Sequence, residues 1–247
     1  MEQEQRLFAG RVALVTGGSG GIGRAICRKL GKSGALVAVA YGRRGTAAEA
    51  VARGIVEEGG AAAAFGADLE PPDEIARLVD RVQRELGPIE VLVANAGVGQ
   101  PADLDSLSVE DWERTLRINL RAPFLLAQRI VPGMRARRFG RILFTSSVAA
   151  FTGGIVGPHY SASKAGLNGL THFLAGRLAS FGITVNGIAP ALIENTGMLP
   201  GGPELAARIP VGRLGKPDEV ADLAVAILAN AYVTNQVVSV DGGMYPR

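Results

Sequence analysis

The sequence predicts an α/β fold built as a doubly wound parallel sheet of seven strands with helices on both faces. Three observations carry this prediction: short unbroken apolar runs, longer helical patterns between them, and a glycine-rich turn joining the first run to the first helix. The apolar runs fall at 12–16, 36–40, 61–65, 91–96, 141–146, 184–189 and 236–240. Most are continuous rather than alternating, as parallel strands covered on both faces require. Helical patterns occupy 21–33, 46–58, 73–86, 109–131, 160–180 and 218–229. Strand followed by helix, repeated, builds βαβ units, and right-handed crossovers bring the loops that follow the strands to one rim, where ligands bind. Pro123 inside the 109–131 pattern predicts a kink or a break. The only long irregular stretch, 190–217, is rich in Pro and Gly and reads as a lid.

Composition narrows the class. The chain has 247 residues, 47% hydrophobic and 20% charged, enough for one large domain with a substantial core. Net charge is +3, with Lys and Arg scattered, and the densest basic cluster, at 134–141, reads as a solvated helix end and not as a nucleic-acid surface. No apolar run has membrane-spanning length. Cys27 is the single cysteine, so no intrachain disulfide forms, and its apolar helical surroundings predict a small core residue. The first ten residues are charged and lack the apolar core of a signal peptide, which with the cysteine usage predicts a cytoplasmic protein. No His, Cys and Asp cluster has metal-ligand spacing.

The turn "TGGSGGIG", residues 16–23, follows a strand and opens a helix, the setting in which glycines let backbone approach a pyrophosphate and free helical amides bind it. It reads in two frames: Gly18, Gly20 and Gly23, or the wider Gly17, Gly21 and Gly23. Thr16 and Ser19 add hydrogen-bonding groups. A dinucleotide-binding, Rossmann-type domain covering 1–247 follows from this context. An NAD site usually ends its second strand with an acid for the ribose hydroxyl. Here Tyr41 and Gly42 stand at that place and Arg43 and Arg44 follow, a pair suited to gripping a 2′-phosphate. The cofactor expected is NADP(H).

Tyr160 and Lys164 lie four residues apart at the start of a helical pattern and so share one face. An ammonium close to a phenol stabilises phenolate, so Lys164 is expected to draw the tyrosine pKa down from about 10 by roughly 1–3 units, making Tyr160 a general acid. Ser147 sits just past the fifth strand, on the ligand rim.

With these residues in place the chain resembles the short-chain dehydrogenase/reductase family along nearly its whole length. The resemblance rests on Thr16 to Gly23, Asp68, Asn95-Ala96-Gly97, Asn119 in "RINL", Ser147, Tyr160, Lys164, "ITVNGIAP" and "VSVDGG". It implies that Tyr160 donates a proton to a carbonyl oxygen, Lys164 tunes it and holds the nicotinamide ribose, Ser147 orients the substrate, and Asn119 supports a water relay behind Lys164. It implies cofactor contacts from Gly17, Ser19, Gly21, Ile22, Gly23, Tyr41, Arg43, Arg44, Asp68, Leu69, Asn95, Ala96, Gly97 and Pro190, with Ile193 meeting the carboxamide through its backbone. The wider glycine frame is the family's, which leaves Gly18 and Gly20 as variable positions.

Within the family, "YSASKAGLNGLTHFLA", "GRLGKPDEVADLAVAILA" and "DGGM" resemble the bacterial 3-oxoacyl-[acyl-carrier-protein] reductases, which implies a homotetramer paired through helices 109–131 and 160–180. Four departures stand out: Ala191 after Pro190 in place of glycine, Asn195-Thr196 in the following loop, Asn235 before the last strand, and Phe181 at the second of two arginine positions used for carrier-protein docking, Arg138 matching the first. Losing one cation weakens the expectation of an acyl carrier protein partner. The sequence therefore predicts an NADPH-dependent carbonyl reductase acting on a 3-oxoacyl thioester or a small ketone. An NAD(P)-dependent secondary-alcohol or sugar dehydrogenase is the alternative, and a non-catalytic nucleotide-binding relative is disfavoured because the four site residues are all present. Pocket walls are expected from 97–104, 148–158 and 191–209. His159 and His172 are read as packing or surface residues, and Trp112 and Phe124 as packing residues of their helix.

Overall fold

The computed structural model describes residues 7–197, 203–207 and 209–245. Among the described residues there are seven strands: β1 (Val12–Thr16), β2 (Leu36–Tyr41), β3 (Ala61–Gly66), β4 (Ile89–Ala94), β5 (Gly140–Thr145), β6 (Ile183–Pro190) and β7 (Val237–Val240). They form one sheet in the order β3-β2-β1-β4-β5-β6-β7. Every neighbouring pair is parallel, from Val12 beside Leu36 to Pro190 beside Val240. The chain order reverses between β1 and β4, the switch point at which an open α/β sheet leaves a crevice past its carboxyl ends.

Strand alternation divides the core. Val12 and Leu14 of β1 face one layer, together with Leu92, Ile142 and Phe144. Ala13 and Val15 face the other, with Val37, Val93 and Leu143. Helices α3 (Pro72–Leu86), α5 (Ala122–Arg137) and α7 (Pro158–Leu178) cover the first face, and α1 (Gly21–Lys32), α2 (Gly45–Glu57) and α9 (Pro217–Ala229) cover the second. Helix α3 shows why the pattern folds this way. Pro72 sits in its first turn with Asp73 and Glu74, which suit the positive helix end, and Ile75, Leu78, Val79 and Val82 make one buried stripe. Cys27 is fully buried on α1, and burial pushes its thiol pKa well above the ordinary value.

The 109–131 pattern resolves into three pieces: α4 (Val109–Leu116), a π-helical turn over Arg117–Arg121, and α5. The Ala122 amide donates to the Arg117 carbonyl, five residues back. Pro123 explains the break, because its ring nitrogen cannot donate to the carbonyl of Asn119. Helix α5 nevertheless runs on to Arg137 and tolerates Pro132 within it. Short helices α6 (Ala149–Thr152) and α8 (Pro203–Ala206) and a 3-10 turn at Ala179–Phe181 are also present. In the irregular segment, Ile193 and Gly215 form an isolated parallel bridge, so 190–217 is pinned across its base, while 198–202 and 208 lie outside the described residues. Among the described residues no helix is long and apolar enough to cross a membrane.

Candidate active site

A cavity of about 290 Å³ opens over the carboxyl ends of β1, β4, β5 and β6. The glycine loop forms one end. Gly17 has φ +66, and a Cβ there would sit 2.9 Å from the Ala96 Cα. A Cβ on Gly23 would fall 2.2 Å from the Gly17 carbonyl oxygen, and one on Gly21 would fall 2.5 Å from the Asn195 carbonyl oxygen. The wider frame is therefore sterically closed to side chains. Gly18 is closed as well, since its Cβ would approach Val39 Cγ1 to 2.7 Å, so it is not the free position expected from the sequence. Gly20 has the most room, its nearest neighbours being the Gly17 carbonyl oxygen at 3.3 Å and Arg44 Nη2 at 3.5 Å.

Helix α1 begins at Gly21 with no side-chain cap and no acidic residue in its first turn. Its first amides lack intrahelical acceptors and carry the positive end of the helix dipole, which suits a pyrophosphate. Thr16 serves the scaffold: its hydroxyl accepts from the amides of Asn95 (3.1 Å) and Ala96 (3.0 Å), while Asn95 Nδ2 donates to the Thr16 carbonyl at 3.1 Å. This clamp fixes the glycine loop to the loop after β4. Gly17, Gly21, Ile22, Gly23, Asn95, Ala96 and Gly97 all line the cavity, as do Pro190 and Ile193.

The arginine pair divides. Both residues are exposed, but Arg44, at the start of α2, lines the cavity beside Gly20, and Arg43 does not. Neither makes an ion pair among the described residues. Tyr41 packs its ring over Gly45 and Gly66, where a Cβ would meet it at 3.1 Å. Asp68 accepts from the Glu70 amide at 3.0 Å, in the loop beyond β3 that also holds Leu69. A feature missed in the sequence ties that loop down: the Glu70 carboxylate takes Arg114 Nε at 2.9 Å and Arg117 Nη2 at 3.3 Å. Ser19, Tyr41, Asp68 and Leu69 lie outside the cavity lining.

At the other end stand Ser147, Tyr160 and Lys164, all buried and all on the cavity wall. Ser147 follows β5; its hydroxyl donates to the Pro190 carbonyl at 3.4 Å and accepts from the Ala149 amide at 3.2 Å. Lys164 Nζ donates to the Thr145 carbonyl at 2.7 Å and lies 5.6 Å from the Tyr160 ring centre. Burial lowers the Lys164 pKa to about 8. The Tyr160 pKa does not fall as expected. Burial of the phenol raises it, and the nearby Ser147 hydroxyl opposes that rise. The reason is geometric: the ammonium is committed to a backbone carbonyl, and desolvation disfavours phenolate.

Asn119 is fully buried in the π-helical turn and does not line the cavity. Its Oδ1 accepts from the Val98 amide at 2.8 Å, while its Nδ2 donates to the Val98 carbonyl at 2.8 Å and to Ser163 Oγ at 3.1 Å. Gly97 passes between Asn119 and Lys164, and a Cβ there would lie 3.4 Å from each polar head. A second missed pair, Ser146 and Asn168 at 2.7 Å, binds the end of β5 to α7.

The departures find physical explanations. Asn235 and Asn195 have φ +65 and +57, left-handed values that asparagine tolerates better than most residues. Ala191 is not left-handed, and its amide donates to the Val240 carbonyl at 3.0 Å, so its methyl is carried without backbone strain. Thr196, not Asn195, lines the cavity, with its hydroxyl bonded to the Ile193 carbonyl at 3.0 Å. Arg138 and Phe181 precede β5 and β6, so within one chain they lie on the rim opposite the cavity, where Arg138 donates to the Ser180 carbonyl at 3.0 Å. Phe124, read as a packing residue, is 42% exposed. No group of three metal-ligating side chains is gathered among the described residues.

This arrangement is matched by comparison with known proteins. Residues 11–202 fit the family model described as short chain dehydrogenase. The chain belongs to the short chain dehydrogenase family. It is similar to a 3-oxoacyl-[acyl-carrier-protein] reductase of Synechocystis sp., with 40% identity over 95% of this chain and 96% of the relative. It is similar to an acetoacetyl-CoA reductase of Allochromatium vinosum, at 37% identity over 95% and 98%. It is also similar to a cis-4-hydroxycyclohexanecarboxylate dehydrogenase of Sinomonas cyclohexanicum, at 39% identity over 96% and 97%. As a member of this short-chain family the chain is an oxidoreductase that uses a nicotinamide nucleotide.

Proposed function

We propose that this short-chain enzyme is an NADPH-dependent carbonyl reductase that converts a ketone, a 3-oxoacyl thioester or a small keto ester, into a secondary alcohol. One observation carries the reading. The Ser147 hydroxyl, the Tyr160 phenol and the Lys164 ammonium share a single cavity wall with a glycine loop too tight for side chains.

The glycine-loop residues Gly17 and Gly21 to Gly23 would hold the pyrophosphate, and Ser19 would flank it. Arg44, assisted by Arg43, would hold the 2′-phosphate, with Tyr41 beneath the same strand end. Asp68 and Leu69 would meet the adenine, Asn95 to Gly97 the adenosine ribose, and Pro190 and the Ile193 backbone the nicotinamide end. When bound, the nicotinamide nucleotide supplies the hydride. Tyr160 is protonated at neutral pH because burial raises its pKa, so it is ready to donate to the carbonyl oxygen. Ser147 orients that oxygen through its hydroxyl. Lys164, held on Thr145, would hold the nicotinamide ribose and supply the proton that restores the phenol, with Asn119 supporting the relay behind it. The segment 190–217 acts as the lid.

Two relatives named for 3-oxoacyl and acetoacetyl thioesters support the substrate reading. The relative named as a hydroxycyclohexanecarboxylate dehydrogenase supports the oxidative alternative. The position of Arg138 and Phe181 gives a carrier protein no paired cations. A homotetramer is favoured by the exposed face of α4, α5 and α7, where Phe124 and Phe173 are 42% and 55% exposed beside a hollow floored by Gly166 and Gly169. A single buried cysteine suits the cytoplasm.

The test is NADPH consumption with acetoacetyl thioester and ethyl acetoacetate, in the wild type and in Tyr160→Phe. Turnover lost in the variant supports the reading. A strong preference for NADH, or full activity without the phenol, overturns it.

A further inference from the structure

The turn following β7 lies outside every segment that the sequence assigned to the pocket walls, yet Met244 and Tyr245 line the same cavity as Tyr160. Its shape is fixed from three sides. The Asp241 carboxylate accepts the amides of Gly243 at 2.9 Å and Tyr245 at 3.2 Å. The Ala191 amide donates to Val240, and the Val211 amide donates to Gly242 at 3.2 Å. Gly242 has φ +62, and a Cβ there would meet Ile209 and Val211 at 2.6 and 2.8 Å, so the turn is wedged against the foot of the 190–217 segment.

Sheet order decides which end of the cavity this turn closes. Strand β7 lies beyond β6, on the far side of β5 from the glycine loop that follows β1. The nucleotide end is therefore distant from it and the substrate end adjacent. The lining there comes from Ile155, Val156, Leu192, Leu205, Met244 and Tyr245. Among the described residues, Arg44 and Lys164 are the charged side chains of the lining, the first beside Gly20 and the second beside Tyr160. Among the described residues this wall offers a carboxylate no cation, whereas an alkyl or aryl group would bury apolar surface against it.

Resting on the carbonyl-reductase reading, we infer that the Met244–Tyr245 turn is the specificity wall of the site and selects ketones with an uncharged apolar substituent. Asp241 is a positioning residue that holds the turn.

The experiment uses the full chain with NADPH and compares ethyl acetoacetate with ethyl 3-oxooctanoate. Each buried methylene contributes up to about fourfold in kcat/KM. The ratio of the longer to the shorter ester is expected to exceed about tenfold in the wild type. It falls by about tenfold in Met244→Ala and in Tyr245→Ala, and Met244→Leu restores it. Asp241→Ala lowers the same ratio, and Asp241→Asn lowers it less. A ratio that is unchanged in both wall variants overturns the inference, while the carbonyl-reductase reading stands on ethyl acetoacetate turnover. If neither ester is reduced, that reading fails, and a cofactor-free measurement decides the wall. With methyl-labelled methionine, of which the chain has 4, octan-2-one shifts the Met244 signal, assigned through Met244→Leu, if the wall binds apolar chains. A Met244 signal that does not move under saturating octan-2-one overturns the inference.

Discussion

The Asn119 carboxamide is bonded to both backbone polar groups of Val98, accepting from the amide and donating to the carbonyl, each at 2.8 Å. This reciprocal pair locks the strand-end loop that carries Gly97 onto the π-helical turn. Asn119→Ala leaves both Val98 groups and Ser163 without this partner, at a cost of about 1–3 kcal/mol. Urea unfolding is expected to show a lower midpoint with an unchanged slope. Activity falls with it, because Gly97 separates Asn119 from Lys164.

Lys164 trades stability for chemistry. Its folded pKa of about 8 lies below the ordinary 10.5, so the native state binds this proton more weakly than the unfolded state. Below about pH 8 both states carry the proton and the burial penalty, roughly 3 kcal/mol, is fully present. Between about 8 and 10.5 the native lysine sheds its proton first, and stability rises with pH. Lys164→Met removes the penalty and loses the bond to Thr145, worth about 1 kcal/mol. The variant is expected to be inactive and about 2 kcal/mol more stable at neutral pH, a gain that shrinks as the pH rises. Thermal unfolding across pH 6 to 11 measures both the sign and the window.

Arg44 and Arg43 are expected to contribute unequally to the nucleotide preference. Arg44 reaches the cavity beside Gly20 and Arg43 does not. A charge-assisted bond to a phosphate is worth roughly 1.5–3 kcal/mol, or about 10- to 100-fold in affinity. Arg44→Ala is expected to raise KM for NADPH by that factor while leaving KM for NADH nearly unchanged. Arg43→Ala shifts the same ratio less. Equal effects would return the two residues to equal standing.

The glycine loop makes a steric prediction. Gly18→Ala places a methyl 2.7 Å from Val39 Cγ1 and 3.1 Å from Cys27 Sγ, both inside a close-packed layer. The expected loss is about 1–3 kcal/mol, read as a lower melting temperature. Gly20→Ala meets its nearest atom at 3.3 Å and is expected to fold with near wild-type stability.

The strands and helices were legible because their causes are local. Unbroken apolar runs such as 91–96 and 141–146 read as buried strands, and the stripe Ile75, Leu78, Val79, Val82 has helical period. Pro123 announced the break in its helix, although the form of the break, a π-helical turn that buries Asn119, depends on contacts with Val98 and Ser163. The candidate site residues that share the cavity were legible as types at fixed spacings: Tyr160 four residues before Lys164, and glycines between a strand and a helix. The Glu70–Arg114–Arg117 cluster and the Ser146–Asn168 pair were not, since their partners stand far apart in the chain and no spacing relates them.

The sequence by itself determined the order of strands and helices, the glycine cradle, and the residue types that can move a proton. Those follow from periodicity, backbone freedom and side-chain chemistry, each readable within a few residues. Only the tertiary structure decided that Gly18 is as confined as Gly17, that Arg44 and not Arg43 faces the cavity, and that burial raises the Tyr160 pKa. It also decided that the turn after β7 brings Met244 and Tyr245 to the cavity that Tyr160 lines. Each of these depends on what another part of the chain places within a few ångströms: Val39 against the loop, Thr145 against the ammonium, and β7 beside β6.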